Sequence, residues 1–296
     1  MRTLTIPQQH LCYHYTMPSI HPARTQLRAV LRQPEPQLNL AEAALCIAWE
    51  DQGIAMLPAA LRELDSLAAA AEAWLPAAGK PREVVLALNR FLFSEIGFRG
   101  NTWNYSDPMN SFLDQVLATR AGLPITLSII YMEVGWRLGL PVSGVALPGH
   151  FLARYTGPNE ELFIDAFNRG RLWSRTECIT QITTFYRAAD AYFVKNILQP
   201  PSHRAILVRI LRNLKNLYLE RANLPAALAA CERIVLIDPS QPHDIRDRGL
   251  LRARLGQTYG ALQDFERYAH LHPRADDLSY IQQQAQLLAQ HMSQGN

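Results

Sequence analysis

Between residues 38 and 139, apolar residues recur every three or four positions, which is the period of an amphipathic helix. Proline stands where several of these stretches begin and glycine where they end, as is usual at helix termini. The pattern predicts helices that begin near Leu38, Pro58, Pro81, Ser111 and Pro124. The last of these ends at Gly139 and carries a long apolar face, so we expect it to lie in the centre of a core.

After Pro141 the pattern changes to short stretches of β-branched and aromatic residues on either side of the sequence TGPNE. This predicts a β-hairpin. If the turn is centred between Gly157 and Pro158, the numbers of opposed residues sum to 315, and His150 lies opposite Asp165. A slip of one residue would put the two side chains on opposite faces.

From residue 204 to residue 291 the helical pattern returns and repeats itself. Asp238-Pro239 and His272-Pro273 end two similar segments that are offset by 34 residues, and Ala227 and Ala261 have the same offset. This helix–turn–helix period is that of the tetratricopeptide repeat. Two such repeats do not bury their apolar faces alone, so we expect them to stack on flanking helices.

The expected organisation is a poorly ordered leader at 1–37, an α+β domain at 38–199 and a helical repeat domain at 204–291. The leader contains three early prolines, at positions 7, 18 and 22, that interrupt any long helix. It also lacks the apolar core of a signal peptide. Met17 is an alternative start, and the sequence does not decide this point.

The composition of the chain argues against several classes of function. The 296 residues carry a formal net charge of +3, which is too small to indicate nucleic-acid binding. The four cysteines are scattered without metal-ligand spacing, which argues against a disulfide scaffold and a structural zinc site. No apolar stretch is long enough to span a membrane. We therefore expect a cytoplasmic protein without a metal or cofactor; its oligomeric state is not encoded in these patterns.

Several short motifs follow one another in a fixed order between residues 110 and 170. They are Asn110-Ser111, Val116-Leu117, Arg120 with Gly122, Pro124-Ile125, Arg137 with Leu138-Gly139-Leu140-Pro141, Pro148-Gly149-His150-Phe151, Asp165 and Gly170. Together they resemble the SirB-type transglutaminase-like family, over roughly residues 40–190. A tetratricopeptide tail is usual in that family. The resemblance implies a papain-type, transglutaminase-like α+β domain followed by an all-α tetratricopeptide-repeat domain.

The resemblance also implies which residues match a catalytic triad. Active members of the superfamily use Cys, His and Asp, and the Cys lies at the start of the central helix, where the helix dipole lowers its pKa. His150 and Asp165 match the His and the Asp. The Cys position corresponds to Pro124, which has no nucleophilic group. The thiol mechanism is therefore expected to be absent.

Three functions fit these residues. The sequence favours a non-catalytic scaffold or regulatory protein, a pseudoenzyme that binds a protein partner through its repeats. An alternative is a hydrolase or amide transferase in which Thr126 or Ser128 is the nucleophile and His150 is the base. The third is a protein that binds a small acidic ligand in the remnant cleft. In the first case His150 is a structural residue that donates to Asp165.

Basic residues recur at steps near three and four on the first repeat helix, at Arg204, Arg209, Arg212 and Lys215. This pattern is typical of a solvated face, and it also fits a stripe for an acidic partner. The candidate partner-binding residues are Arg212, Lys215 and Tyr218. A mixed charge run that includes Asp244 and Asp247 indicates a solvated face on a later helix.

Overall fold

The first half of the chain is mainly helical. The computed structural model describes residues 21–187 and 189–294. The first helices are α1 (Pro22–Val30), α2 (Leu40–Gln52), α3 (Leu57–Glu72), α4 (Pro81–Asn89), α5 (Leu113–Thr119) and α6 (Pro124–Arg137). α4 continues as a π-helical segment, Arg90–Glu95, and single 3₁₀ turns lie at Glu35–Gln37 and Pro108–Ser111. Three of these helices begin where the sequence pattern predicted, at or next to Pro58, Pro81 and Pro124.

The β-strands form two small sheets. β1 (Arg99–Gly100) pairs in parallel with β2 (Ala121–Gly122). The larger sheet is an antiparallel meander in the order β3, β4, β5, β6, with strands Val142–Val145, Leu152–Thr156, Glu161–Asp165 and Arg171–Trp173. Helices α7 (Arg175–Phe185) and α8 (Ala191–Ile197) come next.

The rest of the described chain consists of stacked helices. They are α9 (His203–Glu220), α10 (Leu224–Ile237), α11 (Pro242–Arg254), α12 (Thr258–Leu271) and α13 (Leu278–Gln294). α9 packs on α10, α11 on α12, and α13 covers α12. Ala227 and Ala261 are fully buried where paired helices approach closely. Among the described residues, no helix is both long and apolar enough to cross a membrane.

The predicted central helix is confirmed. α6 is buried from Pro124 to Gly135, and it packs against α2, α3, α5, α9 and the strands β3 and β4. It is apolar on most of its surface, as expected of a helix that is surrounded on all sides. One hydrophobic cluster extends from α1 and α2 through α6 to α9 and α10. The sheet-containing part and the first repeat therefore share a core.

Residues 22–37 differ from the expected poorly ordered leader, because Pro22–Val30 form a helix. Its apolar face buries Ala23, Leu27 and Val30, and it packs on α2. Only nine residues form this helix, so its apolar period was too short to stand out among the surrounding prolines. Residues 1–20, which include Met17 and Cys12, lie outside the described residues.

The predicted hairpin is present, but its predicted register is wrong by two residues. Ala153 is opposite Ile164 and Arg154 is opposite Phe163, so the numbers of opposed residues sum to 317 rather than 315. The turn is centred further along, because the Gly157 N–H donates to the Glu160 carbonyl and closes a longer loop. A shift of two residues keeps every side chain on its original face.

Candidate functional site

Asp165 is the centre of a buried polar cluster at the end of β5. Its carboxylate is fully buried and accepts three hydrogen bonds. Oδ1 accepts the backbone N–H of Asn168 at 3.1 Å, and Oδ2 accepts the Asn168 side-chain amide at 2.8 Å. The indole N–H of Trp173, on the neighbouring strand β6, also donates to Oδ2 at 3.1 Å. This arrangement stabilises the ionised form of the carboxylate.

His150 is the fourth group beside this carboxylate. Its Nε2 lies 3.0 Å from Asp165 Oδ2, within ion-pair distance, although the ring is not oriented for a linear hydrogen bond. His150 follows Gly149, whose positive φ of 67° bends the loop between β3 and β4. The imidazole stacks on Trp173, with ring centroids 5.7 Å apart, and meets the edge of Phe167. Asp165 and two aromatic rings thus fix the imidazole.

Opposing effects act on the pKa of Asp165. Burial alone would raise it, because a charged carboxylate loses its hydration. The interaction with His150 and the hydrogen bonds from Asn168 outweigh burial and hold the pKa of Asp165 below its ordinary value. The group is therefore a carboxylate at neutral pH.

Arg209 of α9 fixes the loop that carries His150. Its Nη2 donates to the carbonyl oxygens of Leu147 at 2.8 Å and His150 at 2.6 Å, and its guanidinium lies over the Phe151 ring. Burial lowers the pKa of Arg209. The first repeat helix thus contacts the candidate site directly.

The start of α6, where a nucleophile would lie, carries no thiol. Pro124 is the first residue of the helix. The Thr126 hydroxyl donates to the Asn110 carbonyl at 2.6 Å and accepts the Leu123 N–H, so it caps the helix. The Ser128 hydroxyl faces the Phe151 carbonyl at 3.4 Å. Both hydroxyls are fully buried, and neither forms a hydrogen bond with His150.

The cysteines within the described residues also lack the features of a nucleophile. Cys46, Cys178 and Cys231 lie in α2, α7 and α10, and all three are buried. Burial raises the pKa of each thiol to about 12. A catalytic thiol needs the opposite shift, because the thiolate is the attacking species. Within the part of the chain that the structure describes, the site therefore holds a His–Asp pair without an activated thiol.

The comparisons with known proteins agree with this fold. A family model described as transglutaminase-like superfamily matches residues 58–212, which is more than half of the chain. The chain belongs to the transglutaminase-like superfamily. A tetratricopeptide-repeat model matches residues 214–286. The expected fold class, a transglutaminase-like α+β domain followed by tetratricopeptide helices, is confirmed.

Bacterial relatives match about two thirds of the chain. A UPF0162 protein of Xylella fastidiosa is 41% identical over 197 residues, which cover 66% of this chain and 70% of that protein. A UPF0162 protein of Vibrio cholerae is 28% identical over 209 residues, which cover 70% of this chain and 76% of that protein. These names carry no statement of activity.

Two further similarities cover different shares of the matched proteins. F-box only protein 21 of Mus musculus is 33% identical over 143 residues, which cover 46% of this chain and 22% of that protein. A crystal structure of menin matches 88% of this chain and 73% of that chain, with a TM-score of 0.40 and 12% identity.

Two of the three candidate partner-binding residues need correction, because the structure directs Lys215 and Tyr218 inward. The Lys215 ammonium donates to Asp247 at 2.6 Å, and the Tyr218 hydroxyl donates to Asp51 of α2 at 3.0 Å. Both residues are buried. Arg212 is half-exposed and pairs with Asp244. Lys215 and Tyr218 are thus internal contacts of the stack and are not available to a partner.

Sequence reasoning missed Trp173, Asn168 and Arg209 as members of the His150 site. A tryptophan on a short edge strand and an asparagine in a turn have no motif of their own. Arg209 was visible only as part of a basic stripe. Among residues 21–187 and 189–294, no group of three or more His, Cys, Asp or Glu residues is arranged to hold a metal ion.

Proposed function

We propose that this protein is a non-catalytic, SirB-type member of the superfamily that acts by binding a protein partner. The observation that carries the proposal is the start of α6. Proline occupies its first position, and the adjacent hydroxyls are committed to backbone carbonyls. A His–Asp pair with no nucleophilic side chain beside it cannot form the covalent intermediate of the thiol mechanism. In this proposal the pair stabilises the loop and turn around it.

The repeat region supports an interaction role, because tetratricopeptide arrays present extended surfaces to other proteins. α9 and α10 contact the transglutaminase-like domain through the shared apolar core and through the hydrogen bond from Arg233 to Asp51. In the later helices, two tyrosines are exposed to solvent. Tyr259 of α12 is 70% exposed and Tyr280 of α13 is 51% exposed. Tyrosine is enriched at protein interfaces, since its ring buries apolar area while its hydroxyl stays hydrogen-bonded. We place the partner surface on α11–α13.

Photo-crosslinking from the repeats tests the interaction. The full chain would carry p-benzoylphenylalanine in place of Tyr259 or Tyr280, and in place of the exposed Leu86 of α4 as the matched control. We expect a discrete crosslinked protein from the two repeat positions and none from position 86. The same crosslink should form in a His150→Ala background, because the proposed interaction does not use the imidazole.

Two results would contradict the proposal. The first is equal crosslinking from position 86 and from the repeat positions, which would indicate non-specific contact. The second is loss of the repeat crosslink in a correctly folded His150→Ala protein, which would make the partner a substrate of the His150 site. Fractionation of cells that express the tagged chain checks the cytoplasmic location that we infer for it.

A further inference from the structure

A separate cavity opens next to the His150–Asp165 pair and shares the Phe167 ring with it. Its volume is about 430 Å³. The side chains around it are basic, polar or aromatic, namely Arg99, Thr102, Trp103, Phe167, Asn168 and Arg169. No acidic side chain is among the described residues that line it. The cavity is therefore basic as well as aromatic.

Its two arginines have no counter-charge among the residues that the structure describes. Neither Arg99 nor Arg169 forms a salt bridge with any described residue, and Arg99 reaches only the Gly97 carbonyl, at 3.4 Å. The nearby Arg120 and Arg171 differ, because each pairs with a glutamate. Guanidinium groups bind carboxylates through charge-assisted and often bidentate hydrogen bonds. Two free guanidiniums at one cavity thus favour an anionic ligand.

Trp103 is an independent sign of binding at this place. Its side chain is 99% exposed. An exposed tryptophan leaves a large apolar area in contact with water. Tryptophan and arginine are also among the residues that most often dominate the energetics of protein interfaces. The ligand should therefore combine negative charge with an apolar group.

The cavity walls are held in place by the buried cluster beneath them. The Gly100 N–H donates to the Phe167 carbonyl at 3.0 Å, and the Phe167 ring packs so closely on Gly100 that a Cβ there would come within 2.6 Å of it. Asp165 holds both the side chain and the backbone of Asn168. Arg169 adopts a positive φ of 54°, rare for a residue with a side chain. This turn presents Asn168 and Arg169 to the cavity.

We propose that this cavity is a docking site for an acidic segment of a partner protein. Carboxylates of the segment pair with Arg99 and Arg169, and an apolar side chain packs on Trp103. An acidic peptide fits better than a nucleic acid, because nucleic-acid binding needs a continuous basic path and the whole chain has a net charge of only +3. The site extends the interaction role to the transglutaminase-like domain and does not depend on the repeat surface.

A random twelve-residue peptide display library, panned on the full chain, tests the ligand class without presuming a sequence. We expect the selected peptides to be enriched in aspartate and glutamate. A fluorescein-labelled copy of the most enriched peptide should bind an Arg99→Glu/Arg169→Glu variant at least roughly tenfold more weakly, because each charge-assisted hydrogen bond contributes about one decade of affinity. Trp103→Ala should weaken binding of the same peptide.

The matched control is Arg62→Glu/Arg82→Glu, which makes the same charge change at two exposed arginines outside the cavity. It should leave the affinity unchanged. The proposal is overturned if the selected peptides show no acidic excess or if the two double variants bind alike. Fifteen-residue oligothymidine or free phosphate that binds wild type but not the Arg99/Arg169 variant, without an acidic peptide, would also overturn it. Crosslinking at Tyr259 and Tyr280 should be unaffected by these variants, so the two proposals fail separately.

Discussion

At the scale of single residues, Asp165 joins several parts of the structure around it. Its carboxylate accepts two hydrogen bonds from Asn168 and one from Trp173, and it lies against His150. It thus connects β5 to β6 and to the turn that follows. A buried carboxylate with this many donors is stable as an anion. Asp165 therefore has a structural role that needs no nucleophile beside it.

Replacement of Asp165 by asparagine should destabilise the fold. An amide nitrogen would face the Trp173 and Asn168 donors, and charge-assisted bonds would be lost. We expect the free energy of unfolding at pH 7 to fall by about 1–3 kcal/mol, the usual cost of an unsatisfied buried group. Urea titration followed by circular dichroism measures this change. The exposed Asp276→Asn is the control and should have no effect.

The same variant has a pH signature. The pKa of Asp165 is lower in the folded state than in the unfolded chain. Its stabilising contribution is therefore complete above the unfolded pKa of about 3.9, and it is lost as pH falls through the folded value. The stability difference between wild type and Asp165→Asn should narrow below about pH 4. A difference that stays constant from pH 7 to pH 3 would contradict this assignment.

At the scale of elements, α6 shows why the hydroxyls of Thr126 and Ser128 are structural. Pro124 supplies no N–H, and the Thr126 hydroxyl takes the Leu123 N–H while donating to the Asn110 carbonyl. The helix start is therefore closed by its own residues. The adjoining 3₁₀ turn, Pro108–Ser111, is joined to α6 by the same hydrogen bonds.

Thr126→Ala should lower the free energy of unfolding by about 1–2 kcal/mol, because it removes a capping hydroxyl from a buried helix start. Thr126→Ser keeps the hydroxyl and should restore most of the loss. Thermal unfolding of the two variants beside wild type measures both effects. If Thr126→Ala proves as stable as wild type, the capping role is wrong and the hydroxyl is available for chemistry.

The sequence predicted the elements better than their contacts. The helical period and the prolines located α2 to α6, and the 34-residue repeat located α9 to α12, because these signals are local. The strand register depended on the length of one turn, and that length is set by the Gly157–Glu160 hydrogen bond. Alternation within a strand carries no information about a shift of two residues.

Charged residues in the repeats were the hardest to interpret. The run around Asp244 looked solvated, but Asp244 is only 2% exposed and pairs with Arg212 of the preceding repeat. Lys215 and Asp247 form a second pair between the same helices. Because these partners lie 32 residues apart, no pattern within one helix reveals them. The His150–Asp165 contact could be predicted from the sequence, since the resemblance singled out both residues.

At the scale of the whole molecule, the repeats and the transglutaminase-like domain are joined through a buried ion pair. The Arg233 guanidinium is fully buried; it donates to Asp51 at 2.6 Å and to the Ile47 carbonyl at 3.0 Å. Tyr218 donates to the second Asp51 oxygen. Arg24 of α1 adds contacts to Glu50 and Glu232. These bonds and the shared apolar core predict that both parts unfold together.

Arg233→Met should therefore destabilise the whole molecule. It leaves the Asp51 carboxylate buried without its cation, which typically costs about 3–5 kcal/mol. Adding Asp51→Asn should recover part of the loss by removing the unpaired charge. Urea unfolding, followed by near- and far-ultraviolet circular dichroism, should show one coincident transition in each protein.

The matched control is Arg171→Met, which breaks the exposed pair with Glu177. It should cost less than about 1 kcal/mol, because exposed ion pairs contribute little. Two separate unfolding transitions in wild type, or equal effects of the buried and the exposed substitutions, would show that the repeats fold independently of the transglutaminase-like domain.

We propose that the His150 site, within the described residues, holds no activated nucleophile. Reaction of the folded full chain with iodoacetamide and with a fluorophosphonate, read by intact mass and peptide mapping, tests it most directly. Cys46, Cys178 and Cys231 should react only after unfolding, because they are buried and burial raises the pKa of their thiols to about 12. Thr126, Ser128 and the buried Ser111 should remain unmodified.

A His150→Ala variant makes the outcome decisive. We predict that any labelling of the wild-type chain, including any at Cys12, persists unchanged in this variant. A thiol or hydroxyl that is modified in the folded wild type and loses its reactivity in His150→Ala would contradict the account. That result would make His150 a general base and the protein an enzyme.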